Sequence, residues 1–341
     1  MASLPDVVVV GAGAWGTALA CVLATGGRPV GLWGRDPAHR RALRDERHNH
    51  RYLPGLRLPD SITIVDDLAA LPAACELAVL ATPCQTTREL AGALRNSATG
   101  LRAIVCSAKG LELGSHRLVH EVVAEVFGRD FPLALLSGPT FAREVAEGRP
   151  AAVTIAAADG DLGRRLINRF HTPRFRPYLT DDLIGVALGG SVKNVLAIAA
   201  GVADGLQLGA NSRAALITRG LAEMARLGRA LGARQETFMG LSGLGDLVLT
   251  CTDDQSRNRR FGLALGRGQA LAEAQAAIGL VEGAATALSM EAIAAAYGQD
   301  MPISAEVARI VRGDTLPAAA VAALMSREPA GEFAPLQASP G

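Results

Sequence analysis

The sequence is nearly without lysine. Of its 34 lysine and arginine side chains, only Lys109 and Lys193 are lysine. Arginine stays charged in a protein, whereas a desolvated lysine can lose its proton near neutral pH, so of these 34 side chains only the two lysines can serve as a base. A strong charge of either sign is also missing. The formal net charge is +1 at pH 7, which excludes a global field for nucleic acid or an anionic membrane and requires any acidic ligand to be held locally. Cysteine is sparse: Cys21, Cys75, Cys84, Cys106 and Cys251 are odd in number, lack Cys-x-x-Cys spacing and lie mostly in apolar runs. That argues against a disulfide framework or a metal site and for buried free thiols in a reducing cytoplasm. The N-terminus has no basic region leading into a long apolar run, so no signal peptide is expected. One apolar stretch, 183–203, has the length of a membrane span. It carries Lys193 at its middle, Asn194 beside it and five glycines between 185 and 205, so a buried helix is expected and no membrane span.

What is present begins with Asp-Val-Val-Val-Val at 6–10, a β-branched run of the kind buried on both faces of a parallel sheet. Gly11, Gly13 and Gly16 follow at once in G-x-G-x-x-G spacing, and an Ala/Leu helix continues over 17–26. In that strand–turn–helix context the glycines permit a tight turn, close approach to a pyrophosphate and close helix–strand packing, while the helix N-terminus supplies amide donors. A second strand at 29–33 ends in Gly34-Arg35-Asp36, where a dinucleotide fold meets the adenosine ribose. Arg35 is expected on the 2′-phosphate of NADP, because a guanidinium forks onto phosphate oxygens, with Asp36 capping a helix that starts at Pro37. The arginine-rich run 40–51 reads as a solvated helix face, and His48 and His50 as surface residues.

Further strands are expected at 62–65, 77–81, 102–106, 133–137, 151–156 and 174–179, with helices between most of them. The pattern is an α/β fold, a doubly wound, Rossmann-like parallel sheet. Ligands bind beyond the carboxyl ends of such strands, where Thr82-Pro83, Ser107-Ala108-Lys109-Gly110 and Ser137-Gly138-Pro139-Thr140 stand. From about 185 the pattern becomes helical: 186–204, 211–231, 256–265, 269–277, 284–297, 303–312 and 317–326. The expected division is a dinucleotide-binding domain over 1–184, an all-α domain over 185–327 and a disordered tail over 328–341.

The helical half holds a polar cluster: Lys193-Asn194, Asp246, Thr250 and Ser256-Arg257-Asn258-Arg259-Arg260. Hydride transfer between a nicotinamide and an alcohol carbon needs one group to move the hydroxyl proton and others to hold the substrate. Lys193 can move the proton, with Asp246 its expected partner. Arg257 offers planar donors to a phosphate, and Asn194 or Asn258 can bond a hydroxyl. Local readings without chemistry stay open: Asp246 and Ser256 as helix caps, Arg259 and Arg260 as solvated charges.

These stretches together resemble the bacterial NAD(P)-dependent glycerol-3-phosphate dehydrogenases over residues 7–325. The similar segments are GAGAWGTALA at 11–20, SAKGLE at 107–112, SGPTFAREVA at 137–146, GGSVKNVLAIAAGVADGL at 189–206, ANSRAALITRGLAEM at 210–224 and GLGDLVLTCTDDQSRNRRFG at 243–262. The resemblance implies reversible reduction of dihydroxyacetone phosphate to sn-glycerol 3-phosphate for phospholipid synthesis, by a cytoplasmic homodimer using NADP or NAD, with NADPH favoured. It implies Lys193 as proton donor and acceptor. It implies substrate contacts from Lys109, Gly138, Thr140, Asn194, Asp246, Thr250, Ser256, Arg257 and Asn258. Ala14, Trp15, Arg35, Lys109, Ala142, Arg257, Leu280 and Glu282 are the implied cofactor contacts, beside Gly11, Gly13 and Gly16. Ala284-Ala285-Thr286-Ala287-Leu288 departs from the family, which often has an arginine and then a lysine there. Two other readings are a 3-hydroxyacid or sugar-acid phosphate dehydrogenase of the same architecture, and a non-catalytic NAD(P)-sensing protein.

Overall fold

The computed structural model describes residues 5–328 and Glu332. The stretch 328–341, expected as a disordered tail, lies outside the described residues apart from Glu328 and Glu332. Six strands pair in parallel in the order β3-β2-β1-β4-β5-β6: Val7–Val10 (β1), Val30–Trp33 (β2), Ile62–Ile64 (β3), Leu77–Leu80 (β4), Ala103–Cys106 (β5) and Leu133–Ser137 (β6). Every residue of β1 and β5 is buried. Side chains alternate across a strand, so Val7 and Val9 pack with Leu19 and Leu23 of the helix Ala14–Leu23 (α1), while Val8 and Val10 join a second core that continues into the helical half. This is why the run reads as apolar throughout and not as an alternation.

Two further strands, Ala151–Ala157 (β7) and Phe175–Thr180 (β8), extend the sheet. β7 is antiparallel to β6 and β8 is parallel to β7, so the last two strands run against the first six. The connector into β7 holds only the five-residue helix Ala142–Ala146 (α5) and lacks the long helix that usually carries a parallel crossover.

Beyond Thr180 the described elements are helices. Leu183–Gly205 (α7) is long and apolar enough to cross a membrane by length and composition, but 89% of its most apolar window is buried inside the fold. It packs against Gly209–Ala230 (α8), Asp246–Thr252 (α10), Arg257–Gly266 (α11), Glu282–Ala296 (α13) and Pro302–Arg312 (α14). The crossing with α11 is backbone on backbone: a Cβ on Gly201 would stand 2.0 Å from the Arg259 carbonyl oxygen, and one on Gly262 2.0 Å from that of Ile198. Glycines spaced along α7 serve this close approach.

Candidate active site

The strands β1, β4, β5 and β6 end on one edge, and the loops that follow build the site. At the first of them Gly11 adopts φ +125°, which L-residues with a Cβ rarely reach. A Cβ on Gly16 would stand 1.7 Å from the Gly11 carbonyl oxygen, so that glycine lets α1 lie directly on the turn. Gly13 differs: a Cβ there would meet nothing within 4 Å among the described residues, so the space over it is open to a ligand. Gly13 is the N-cap of α1 and offers no side-chain cap. The first backbone bond of that helix is Thr17 N–H to Gly13 C=O, which leaves the preceding amides for an anion. The indole Nε1 of Trp15 is buried at the same turn with no partner among the described residues. Residues of this kind fit the pyrophosphate of a dinucleotide.

At the ribose end, Asp36 accepts from the Ala38 amide at 2.9 Å and caps Pro37–Glu46 (α2), as expected. Its other oxygen takes Arg51 at 3.2 Å. Arg35 is exposed and bonds Glu89 at 2.9 Å. The run 40–51 is not simply a solvated face: Arg40, Arg44 and Arg47 donate to backbone carbonyls, and Asn49 is fully buried. His48 is half-buried, His50 is exposed, and their rings stack.

The two lysines meet on one carboxylate. Asp246 begins α10 after a π-helical turn over Leu241–Gly245, a distortion common at functional sites. Its Oδ1 accepts from Lys193 Nζ and its Oδ2 from Lys109 Nζ, each at 2.6 Å. Lys193 Nζ also donates to Thr250 Oγ1 at 2.9 Å, and Thr250 in turn donates to the Asp246 carbonyl at 2.6 Å. Two of the three ammonium protons of Lys193 are thereby used, and one is left for a ligand. Lys109 Nζ takes the Gly138 carbonyl at 3.2 Å as its second partner, and Thr140 Oγ1 donates to the same oxygen at 3.2 Å.

Burial pushes the Lys193 ammonium down to about 8, a fall that the Asp246 carboxylate opposes and the Lys109 charge adds to. Burial alone would raise the Asp246 carboxyl, but Lys109 and Lys193 together hold it below its ordinary value. Two ammonium groups on one carboxylate leave an excess positive charge at the site, suited to an anionic ligand.

Asn194 Oδ1 accepts from Asn258 Nδ2 at 2.9 Å, and Asn258 Oδ1 accepts from the Gly283 amide at 2.9 Å. Ser256 caps α11 through its bond from the Arg259 amide at 3.2 Å. Arg257, on the first turn of α11, is exposed and bonds no acceptor among the described residues. Arg259 is not the solvated charge that one local reading allows: it is buried, donates to the Cys251 carbonyl at 3.1 Å and pairs with Asp204 at 2.5 Å and with Asp254. Glu282 accepts weakly from the Cys84 amide at 3.4 Å, and burial raises its carboxyl against the pull of the Arg257 charge. Glu282 thus joins the helical half to the loop after β4. Ala142 is half-buried on α5, and Leu280 is exposed on the loop before α13.

The sequence matches the N-terminal model of the NAD-dependent glycerol-3-phosphate dehydrogenase family over residues 6–162 and the C-terminal model over 182–322. It is similar to a glycerol-3-phosphate dehydrogenase [NAD(P)+] of Thioalkalivibrio sulfidiphilus, 55% identical over 282 residues, covering 82% of this chain and 85% of the relative. It is also similar to one of Stenotrophomonas maltophilia, 52% identical over 276 residues and covering 81% of each. Among solved structures, glycerol-3-phosphate dehydrogenase from Coxiella burnetii superposes with a TM-score of 0.90 at 46% identity, covering 94% of this chain and 98% of that one.

Proposed function

The chain belongs to the NAD-dependent glycerol-3-phosphate dehydrogenase family, and on that premise we propose that Lys193 moves the proton in its reaction. The protein is an NAD(P)-dependent oxidoreductase that reduces dihydroxyacetone phosphate to sn-glycerol 3-phosphate. The observation that carries the role of Lys193 is its ammonium held by Asp246 at 2.6 Å and Thr250 at 2.9 Å with a proton to spare.

When bound, the reduced nicotinamide supplies a hydride to the carbonyl carbon. Lys193 gives its free proton to the carbonyl oxygen as negative charge develops there, and takes it back in the reverse direction. A value of about 8 makes both protonation states reachable near neutral pH. Asp246 and Thr250 keep the ammonium from turning away. Lys109 and Arg257 supply positive charge for the substrate phosphate, with Ser256, Gly138 and Thr140 at its rim, and Asn194 and Asn258 bond a hydroxyl. The Gly11–Gly16 turn, Ala14, Trp15, Ala142, Leu280 and Glu282 hold the dinucleotide, with Lys109 and Arg257 bridging to it. Arg35 leaves Glu89 for the 2′-phosphate, which favours NADPH. A cytoplasmic homodimer belongs to the same reading.

Steady-state reduction of dihydroxyacetone phosphate with NADPH and with NADH, beside oxidation of 3-hydroxy acids and sugar-acid phosphates, tests this. Turnover of the triose phosphate is expected, and turnover of an acid alone overturns it. In the same assay Arg35→Ala raises the KM for NADPH far more than for NADH; equal effects remove Arg35 from the 2′-phosphate.

A further inference from the structure

The run 40–51 contains one residue that no part of the chemistry above uses. Asn49 is fully buried, and its hydrogen bonds go to the glycine turn or to its own support. Its Nδ2 donates to the Ala12 carbonyl at 3.1 Å and to Thr17 Oγ1 at 2.8 Å, and its Oδ1 accepts from the Tyr52 amide at 3.2 Å. The Ala12 carbonyl takes a second long-range bond at 3.2 Å, from His39 Nε2. A carbonyl can only accept, so that ring nitrogen carries the proton.

Ala12 stands between Gly11 and Gly13, and its carbonyl shares a peptide unit with the Gly13 N–H. In a trans peptide the two point in opposite directions, and no cis peptide bond occurs among the described residues. Fixing the Ala12 oxygen from the α2 side therefore aims the Gly13 N–H away from it. That N–H donates to no acceptor among the described residues, and the space at Gly13 is open. Two donors on the oxygen also polarise the peptide and strengthen its N–H as a donor to an anion.

We infer that Asn49 and His39 are positioning residues for the cofactor: by clamping the Ala12 carbonyl they orient the amide that receives the pyrophosphate. This rests on the reading of the Gly11–Gly16 turn as the dinucleotide site. Asn49→Asp keeps the shape of the side chain but replaces its two donated bonds by an acceptor. Calorimetric titration of the purified full chain with NADP+ and with 2′-AMP, which lacks the pyrophosphate, tests the idea. Asn49→Asp is expected to weaken NADP+ by roughly tenfold, the loss of a hydrogen bond that matters, and to leave 2′-AMP within about twofold of wild type. Should Asn49→Asp not fold, the half-buried His39 decides: His39→Ala weakens NADP+ by a few-fold and His39→Gln, which retains a donor, restores it. NADP+ binding of wild-type strength in folded Asn49→Asp, equal losses for NADP+ and 2′-AMP, or no difference between His39→Ala and His39→Gln overturns the inference. Absence of NADP+ binding by the wild type strikes instead at the reading of the turn.

Discussion

At the Gly11–Gly16 turn the Gly13 amide has no acceptor among the described residues, whereas around Lys193 the ammonium groups are already bonded to Asp246. The turn works by leaving out side chains, so a substitution there acts through volume and through peptide orientation. The lysine pair works by charge balance, so a substitution there acts through protonation. One region is a mould for an anion, and the other is a poised proton.

That contrast breaks most sharply at Lys193. Lys193→Ala is expected to lower kcat by about two to four orders of magnitude, the usual worth of a proton-transfer group, while nucleotide affinity measured by titration stays nearly unchanged. A variant that keeps most of its kcat assigns proton transfer elsewhere.

Asp246→Asn comes next and acts on titration. The Asp246 charge raises the Lys193 ammonium against burial and Lys109, so its removal drives that value below about 8. Reduction needs the protonated amine, so the rate falls as pH rises through this value, and in Asp246→Asn the fall begins at lower pH. On the alkaline side the protonated form becomes about tenfold scarcer for every pH step of one by which the lysine titrates earlier. A kcat–pH profile that stays in place refutes the coupling.

The smallest effects lie in the turn and separate its two kinds of glycine. Gly16→Ala places a Cβ 1.7 Å from the Gly11 oxygen and is expected to lower stability by about 1–3 kcal/mol, as overpacking does. Gly13→Ala meets only open space, so thermal unfolding stays near wild type while the KM for the nucleotide rises several-fold. Equal melting temperatures for the two variants would contradict the distinction.

The turn is the more legible of the two regions because its chemistry is local: strand, three glycines and helix lie within some twenty residues of one another. The lysine cluster draws on positions 109, 193 and 246, which no local pattern connects. The scarcity of lysine, the place of Lys109 beyond a strand's carboxyl end and the polar residues around Asp246 point to them one at a time, and the resemblance to a family joins them. Asp36 and Ser256 can be read as caps because a cap is set by its nearest neighbours. The direction of β7 cannot, since an apolar β-branched run is the same in either direction. The turn at 241–245 and α10 do not separate as elements in the sequence, because Gly240, Gly243 and Gly245 interrupt any helical period. Arg259 and Asn49 look solvated from sequence for a common reason: their partners, Asp204 for one and Ala12 for the other, are remote in sequence, and without them burial of a polar side chain is too costly to expect.

The backbone crossing of α7 with α11 also bears on how the chain is made. α7 leaves the ribosome 61 residues before the end of α11, an interval of roughly 3–12 s at about 5–20 residues per second. For that time this long apolar helix lacks the α11 backbone that lies against it, and Gly201 and Gly205 present bare backbone to whatever is near. A nascent chain that ends between α7 and α11 therefore carries this apolar helix without the backbone partner that its glycines fit.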